Sequence, residues 1–586
     1  MGIPSYFAHV LKKYPHVIKR LSELPCINNL YLDCNGMVYD VVRQMQYTPE
    51  NQAAYETEML QRICESIDAC IAILRPTSSV FIAFDGVAPV AKLNQQRERR
   101  YKSWYLGEME AQRRRELSTY NKTNNKNNKN GGAIIEPPKP AWNTSSITPG
   151  TKFMNALHDK LAEYYDSTDK LALNARYNLN GKGIMISSSK EPGEGEHKLF
   201  EYIREHAAEH AGATTIIYGL DADLIMLCMS HLHISRGIYL YRETPEFVKS
   251  INVALDEKER YFMDIPEFET AIVQNVMTSS APVAKNKVMD YIFLCFMLGN
   301  DFMPHFPSLN IRTTGIATLM EAYRLIIRPD ETIIQTTPSG EYAIHWPNYK
   351  KLIAHLATQE LTLIRKEHTT RDRMSRYTRD ADNDDDVMHD VMMLPMKQRD
   401  VERGINPFES GWEQRYYASL CDIHASVEDM KSSVDMKPSV DMKSSVDMKS
   451  SITSLCRNYL EGMEWTFRYY TRGCVDWKWT YANHYPPLLA DLVHHIPEAT
   501  FSFLSVKPKE PIRDVVQLCY VLPRASHALL PPSVERALMR SGLKDRYTDN
   551  GSHNFKWAYC KYFWECHTDL PALDLRELEQ IVKKTD

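Results

Sequence analysis

The chain has 586 residues, a hydrophobic share of 43 %, a charged share of 25 % and a formal net charge of −5. These proportions are those of a soluble globular protein of one to several domains, and they exclude a small stapled module, a fibre and a wholly disordered chain. A weakly acidic balance also counts against nucleic acid as a partner, although net charge averages over faces and can hide a basic cluster.

The N-terminus lacks the charged-then-apolar pattern of a secretory signal. Three short apolar runs, at residues 29–32, 80–84 and 215–220, each lead into an acid, Asp33, Asp85 or Asp221, and read as buried strands. Residues 55–74 place Leu60, Ile63, Ile67 and Ile71 on one helical face. Strand, helix, strand predicts an α/β fold with a mostly parallel sheet. Residues 121–146, rich in Asn, Lys, Gly and Pro, read as a mobile insert. The longest apolar stretch, 291–299, is too short for a membrane span. Residues 365–400 carry mixed charge, and a six-residue repeat built on Ser-Val-Asp-Met-Lys fills 433–450. So short a period cannot build a core, which predicts a variable charged linker over 356–458. The aromatic-rich segment 459–586 predicts a second, mainly helical region packed against a first domain over 1–355. The twelve cysteines include no C-x-x-C pair, so reduced thiols are expected rather than a zinc ribbon.

Asp33, Asp85, Asp221, Asp223 and Asp301 all follow apolar runs. The carboxyl ends of strands in an open α/β sheet meet in one crevice, so these acids are expected to converge. Asp221 and Asp223, two apart, would share a direction in extended backbone. Glu194 and Glu196 join them, because Gly193 and Gly195 permit the irregular backbone that would aim both at one point. Any single Asp is more often a helix cap. Several carboxylates in one crevice require cations, and an all-oxygen set suits Mg²⁺ or Mn²⁺ better than zinc. Lys92, Gln96, Arg99 and Arg100 follow Asp85 on one helical face. A solvated face is the usual meaning of such a row, but its place beside a candidate metal ligand points to a phosphate pocket.

The sequence resembles the XRN 5′-3′ exoribonucleases. The resemblance rests on Met1-Gly-Ile-Pro-Ser-Tyr-Phe, Leu30-Tyr-Leu-Asp-Cys-Asn-Gly, Phe84-Asp-Gly-Val-Ala-Pro with Asn94-Gln-Gln-Arg, Ile147-Thr-Pro-Gly-Thr-Lys-Phe-Met, Pro192-Gly-Glu-Gly-Glu-His-Lys, Tyr218-Gly-Leu-Asp-Ala-Asp and Gly299-Asn-Asp-Phe-Met-Pro-His, in that order. It implies a PIN/FEN-like nuclease core closed by a second conserved region. It also implies acidic metal ligands at Asp33, Asp85, Glu194, Glu196, Asp221, Asp223 and Asp301, and a 5′-monophosphate pocket at Lys92, Gln96, Arg99 and Arg100. The implied reaction degrades single-stranded RNA carrying a 5′-monophosphate to nucleoside 5′-monophosphates, with two cations, one activating water and one stabilising the leaving 3′ oxygen. Two departures stand out. Tyr39 replaces a histidine that stacks on the 5′ base in many members, a role an aromatic ring retains, and Val90 replaces a commonly basic residue. The large C-terminal extensions of the cytoplasmic branch are not seen. Intracellular placement is expected, cytoplasmic rather than nuclear. The rivals are a flap-type DNA nuclease and a catalytically silent RNA-binding protein.

Overall fold

A computed structural model describes residues 5–24, 26–124, 141–165, 170–242, 255–256, 259–274, 284–378, 387–424, 448–504, 510–547 and 555–585. Seven strands, β1 (Ile18–Arg20), β2 (Asn29–Asp33), β3 (Ser79–Ala83), β4 (Gly183–Ser187), β5 (Thr215–Tyr218), β6 (Ile238–Tyr241) and β7 (Tyr261–Asp264), form one sheet in the order β1-β7-β6-β5-β2-β3-β4. The five strands from β6 to β4 are parallel, and β7 and β1 close one edge antiparallel. The three strands predicted from apolar runs are therefore the adjacent trio β5-β2-β3. In register, Asp33 pairs with Ala83, so β2 and β3 end level and release Asp33 and Asp85 on the same edge.

Alternation along each strand divides the core. Leu30 and Leu32 of β2 and Val80 and Ile82 of β3 face a core shared with Met59, Ile63 and Ile67 of the Gln52–Leu74 helix. Tyr31 and Phe81 face the other way, toward the Gly195–Glu205 and Asp223–His231 helices. That second core continues without a break through Phe293, Tyr349 and Trp412 to Trp465 and Tyr470, so the helical half of the chain packs directly on the sheet layer. A smaller core joins Val90 and Leu93, at the start of the Val90–Asn124 helix, to Val516, Leu530 and Leu578 near the C-terminus. From β2 the chain winds outward through β3 and β4, then returns to lay β5 and β6 on the opposite side. The crevice at this reversal is where α/β sheets bind ligands.

The expected linker over 356–458 is a different object. The Trp346–Arg376 helix runs through the predicted boundary and buries Leu356, Ile364 and Arg371. Helices Leu394–Lys397, Asp400–Ile405 and Trp412–Cys421 follow, and Met448–Arg472 begins ahead of the expected start at 459. The charges that suggested a solvated segment form a buried network. Arg371 Nη2 donates to Glu402 Oε1 at 2.7 Å, Arg399 Nε donates to Glu402 Oε2 at 2.6 Å, and the Tyr559 N–H donates to Glu402 Oε1 at 2.8 Å. The Asp-rich block at 383–386, the repeat as far as residue 447 and residues 125–140 of the expected insert lie outside the described residues; 121–124 finish the Val90–Asn124 helix. All twelve cysteines are free thiols. The C-terminal region is mainly helical, with one small hairpin pairing Phe555–Lys556 with His567–Thr568.

Candidate active site

All seven acids predicted from sequence come to the crevice. Asp33 ends β2 and Asp85 follows β3. The Asp85 N–H donates to Asn35 Oδ1 at 3.2 Å, the Asn35 amide donates to Asp85 Oδ2, and the Gly195 N–H donates to Asp85 Oδ1 at 2.7 Å. Glu194 is the N-cap of the Gly195–Glu205 helix and Glu196 lies in its first turn. Gly193 enters this corner at φ 109°, a conformation costly for any side chain. Gly195 is required for a second reason: a Cβ there would stand 2.7 Å from Asp33 Oδ1 and 3.4 Å from Asp85 Oδ1. Asp221 and Asp223 do not lie on extended backbone as expected. Ala222 between them is right-handed helical (φ −69°, ψ −21°) and Asp223 opens the Asp223–His231 helix. The two meet at the crevice because a helix starts there, with its N-terminal dipole favouring acids. Asp301 arrives from the far side, just after the tight turn at Phe296–Leu298.

The cluster is electrostatically loaded. Burial, then Asp85 and Asp221, push the Asp33 carboxyl well above its ordinary range. Burial raises Glu196 likewise, with Lys92 offsetting part of the shift, and burial together with Asp301 lifts Asp223 to about 7. Burial also raises Glu194. For Asp301 burial acts in the same sense and is the largest single effect, but surrounding positive charge, Lys92 first and Arg99 among the rest, together outweighs it and holds the carboxyl low. Lys92 Nζ lies 2.5 Å from Glu194 Oε2 and 2.6 Å from Asp301 Oδ2. Asp33 Oδ1, Glu196 Oε2 and Asp223 Oδ1 are buried with no hydrogen-bond partner. Unpartnered buried carboxylate oxygens of this kind are costly without a cation, and a cradle of hard oxygens fits a divalent ion such as Mg²⁺.

The basic row lies along one wall. Gln96 is buried, Arg100 half-buried and Arg99 exposed. Arg100 Nη2 donates to Thr148 Oγ1 at 2.7 Å, and burial with the neighbouring Arg99 lowers the Arg100 guanidinium to about 10. Adjacent guanidiniums, one partly desolvated, make a site short of an anion. Tyr39 and Asp85 are among the charges and dipoles felt by Arg100, so the predicted stacking residue borders this row. Arg99 and Asp301 both line a cleft of about 660 Å³, whose opposite wall includes Thr480, His484 and Trp564 from the C-terminal half.

Residues 1–244 match the model described as "XRN 5′-3′ exonuclease N-terminus", and residues 284–405 and 394–586 match that of the "Xrn1 helical domain". The chain belongs to the XRN 5′-3′ exonuclease family. Among its relatives, "5′-3′ exoribonuclease 2" of Gallus gallus is 26 % identical over 711 residues, covering 100 % of this chain and 70 % of the relative. The Caenorhabditis elegans homologue of that protein is 25 % identical over 733 residues, covering 98 % and 70 %. "5′-3′ exoribonuclease 2" of Saccharomyces cerevisiae is 30 % identical over 417 residues, covering 63 % of this chain and 39 % of the relative. Divalent metal use is general to the XRN nucleases, in keeping with the oxygen cradle. Among the described residues of this XRN chain, no helix is long and apolar enough to cross a membrane.

The XRN crevice also contains residues to which the sequence reading gave no role. Lys198 Nζ donates to Phe84 O at 2.8 Å and Ser188 O at 2.7 Å, tying the acidic helix to the ends of β3 and β4, and burial lowers it to about 8. Tyr469 donates to Glu194 Oε1 at 3.0 Å while its ring stacks on His197 at 3.7 Å, so the second region supports an acid supplied by the first. Lys198 sits inside the Glu-Gly-Glu-His-Lys motif and Tyr469 inside the aromatic row, but nothing in either pattern says what the side chain touches. Trp479 is buried and stacks on Trp465, with ring centroids 5.0 Å apart.

Proposed function

We propose that this XRN chain degrades single-stranded RNA bearing a 5′-monophosphate, in the 5′-3′ direction, releasing nucleoside 5′-monophosphates in a reaction that needs two Mg²⁺ or Mn²⁺ ions. The observation that carries this reading is the meeting of seven acids, three with a buried unpartnered oxygen, beside a row of cationic side chains that shares Lys92 with them. Asp33, Asp85, Glu194, Glu196, Asp221, Asp223 and Asp301 would hold the cations. Bound there, the cations supply Lewis acidity at the scissile phosphodiester and make attack by water feasible near neutral pH.

The chain's own groups do the positioning. Asn35, the Gly195 N–H and Tyr469 fix the orientation of Asp85 and Glu194. Lys92 is the counter-ion of Glu194 and Asp301, and with those acids holding cations its ammonium would be available to the RNA terminus. Arg99, Arg100 and Gln96 take the terminal phosphate, and Tyr39 offers a face to the first base. On this reading a cap or a triphosphate is a poorer substrate terminus than a monophosphate. The sheet layer and the helical region act as one catalytic unit, because their shared core and the Tyr469 contact cross the crevice.

The test incubates 5′-phosphorylated RNA and DNA with and without Mg²⁺ and resolves products by size. Mononucleotides from RNA alone, only with Mg²⁺, are expected. Oligonucleotide products or equal DNA cleavage would favour a flap-type nuclease, and no cleavage a silent RNA binder.

A further inference from the structure

A second set of ligating groups lies in the wall of the 660 Å³ cleft, away from the acidic cradle. Glu98, on the Val90–Asn124 helix, faces His484 and His567, which come from two separate parts of the C-terminal region. Ligand atoms of all three lie within 4.8 Å of one another. Glu98 Oε1 is 3.6 Å from His484 Nδ1, and Glu98 Oε2 is 3.8 Å from His567 Nδ1. Both separations exceed a hydrogen bond, so the three groups converge without satisfying each other. They are close to what a shared ion imposes, since two ligands on a tetrahedral Zn²⁺ at about 2.1 Å stand about 3.4 Å apart.

The imidazoles are also arranged as ligands. His484 Nε2 lies 3.3 Å from Asp569 Oδ1, an orientation that leaves Nδ1 facing Glu98. A carboxylate behind a ligating histidine is the usual outer support of a zinc site. The two rings are tilted 28° from one another with centroids 5.0 Å apart. Burial, then His484, hold His567 well below the ordinary histidine range. Two lysines border the site: Lys102, whose charge acts on Glu98, donates through Nζ to Trp564 O and Cys566 O, and Lys556 Nζ pairs with Asp422 at 2.6 Å besides standing 3.6 Å from Asp569.

We propose that Glu98, His484 and His567 form a transition-metal site, best suited to Zn²⁺, with Asp569 orienting His484 and a fourth position open to the cleft. The site is independent of the nuclease reading and of the Mg²⁺ cradle. It joins the helix carrying Arg99 to the C-terminal hairpin, so the ion would stiffen one wall of the cleft.

The experiment uses the full chain, stripped with EDTA, desalted, and supplied with excess Mg²⁺ to saturate the acidic cradle. It is then equilibrated with micromolar Zn²⁺, and retained metal is measured by atomic emission. One Zn²⁺ per chain is expected, with Co²⁺ giving the visible absorption of a nitrogen-containing, low-coordinate site. His567→Ala and Glu98→Gln should lose that equivalent, and Asp569→Asn should weaken it about 10- to 100-fold. Melting of the EDTA-treated variants checks folding, and His567→Gln replaces any variant that fails it. No retained Zn²⁺ in the wild type, or the same stoichiometry and Co²⁺ spectrum in His567→Ala, overturns the proposal. So does loss of the Zn²⁺ through Asp221→Asn instead.

Discussion

Replacing Lys92 by Met isolates the charge balance of the crevice. Lys92 holds two ion pairs, at 2.5 and 2.6 Å, among side chains only 9 %, 5 % and 4 % exposed. At an effective dielectric near 20, each attraction is at least about 4 kcal/mol, against the cost of desolvating the ammonium. Removing one partner of such a buried cluster costs about 3–5 kcal/mol, because the remaining charges must protonate or stay unpaired. With an unfolding entropy of about 2 cal/mol/K per residue over 586 residues, this is a fall of about 2–4 °C in melting temperature. The assay is thermal melting of wild type and Lys92→Met in EDTA and in Mg²⁺ at pH 7. In EDTA the variant should melt about 2–4 °C lower. Mg²⁺ should recover most of the difference, because cations replace the missing charge, while turnover on 5′-phosphorylated RNA should remain impaired for want of a phosphate ligand. Equal melting in EDTA would refute the counter-ion assignment. A deficit that Mg²⁺ leaves untouched would mean that Lys92 acts through packing.

Gly195→Ala brings a Cβ to 2.7 Å from Asp33 Oδ1 and should displace that carboxylate; misplacement of about 1 Å costs about 100-fold in rate, so a comparable kcat with melting near wild type would show the cradle to be more pliant than drawn. Asp223, raised to about 7, contributes stability that is complete below the ordinary carboxylate range and lost as pH rises through 7. Melting temperature in EDTA should therefore fall between about pH 4 and 7 and flatten with Mg²⁺, and a flat EDTA profile would contradict the shift. Asp221→Asn should abolish hydrolysis while RNA binding survives, so retained turnover would remove it from the site. Arg100→Ala should narrow the rate gap between 5′-monophosphate and 5′-hydroxyl RNA, and an unchanged gap would move the pocket elsewhere.

Strand ends were the legible part of this chain. Apolar runs closing on Asp33, Asp85 and Asp221 mark strands that are adjacent in space, and that adjacency creates the crevice. Period-two reasoning failed between Asp221 and Asp223 because a helix starts at once after β5, a change of geometry that one intervening alanine does not announce. Charge patterning failed more broadly over 365–400, since Arg371, Arg399 and Glu402 look like surface residues until their partners from distant segments are known. The sequence offers Lys92 as a candidate phosphate ligand but does not show it as the counter-ion of Glu194 and Asp301, because that contact depends on side-chain reach across the crevice rather than on spacing along the Val90–Asn124 helix.

The contacts that close the cleft are among the longest in the sequence. The Ala88 N–H donates to Gln517, 429 residues away, and Lys102 donates to Cys566 O, 464 residues away. During synthesis at about 5–20 residues per second, the sheet layer therefore leaves the ribosome some tens of seconds before its closing wall exists. A nascent chain carries the acids yet lacks the groups that hold Glu194 and the helix bearing Arg99 in place. The acids therefore exist in the chain before the wall that faces them, and the cleft is closed only once Gln517 and Cys566 have joined it.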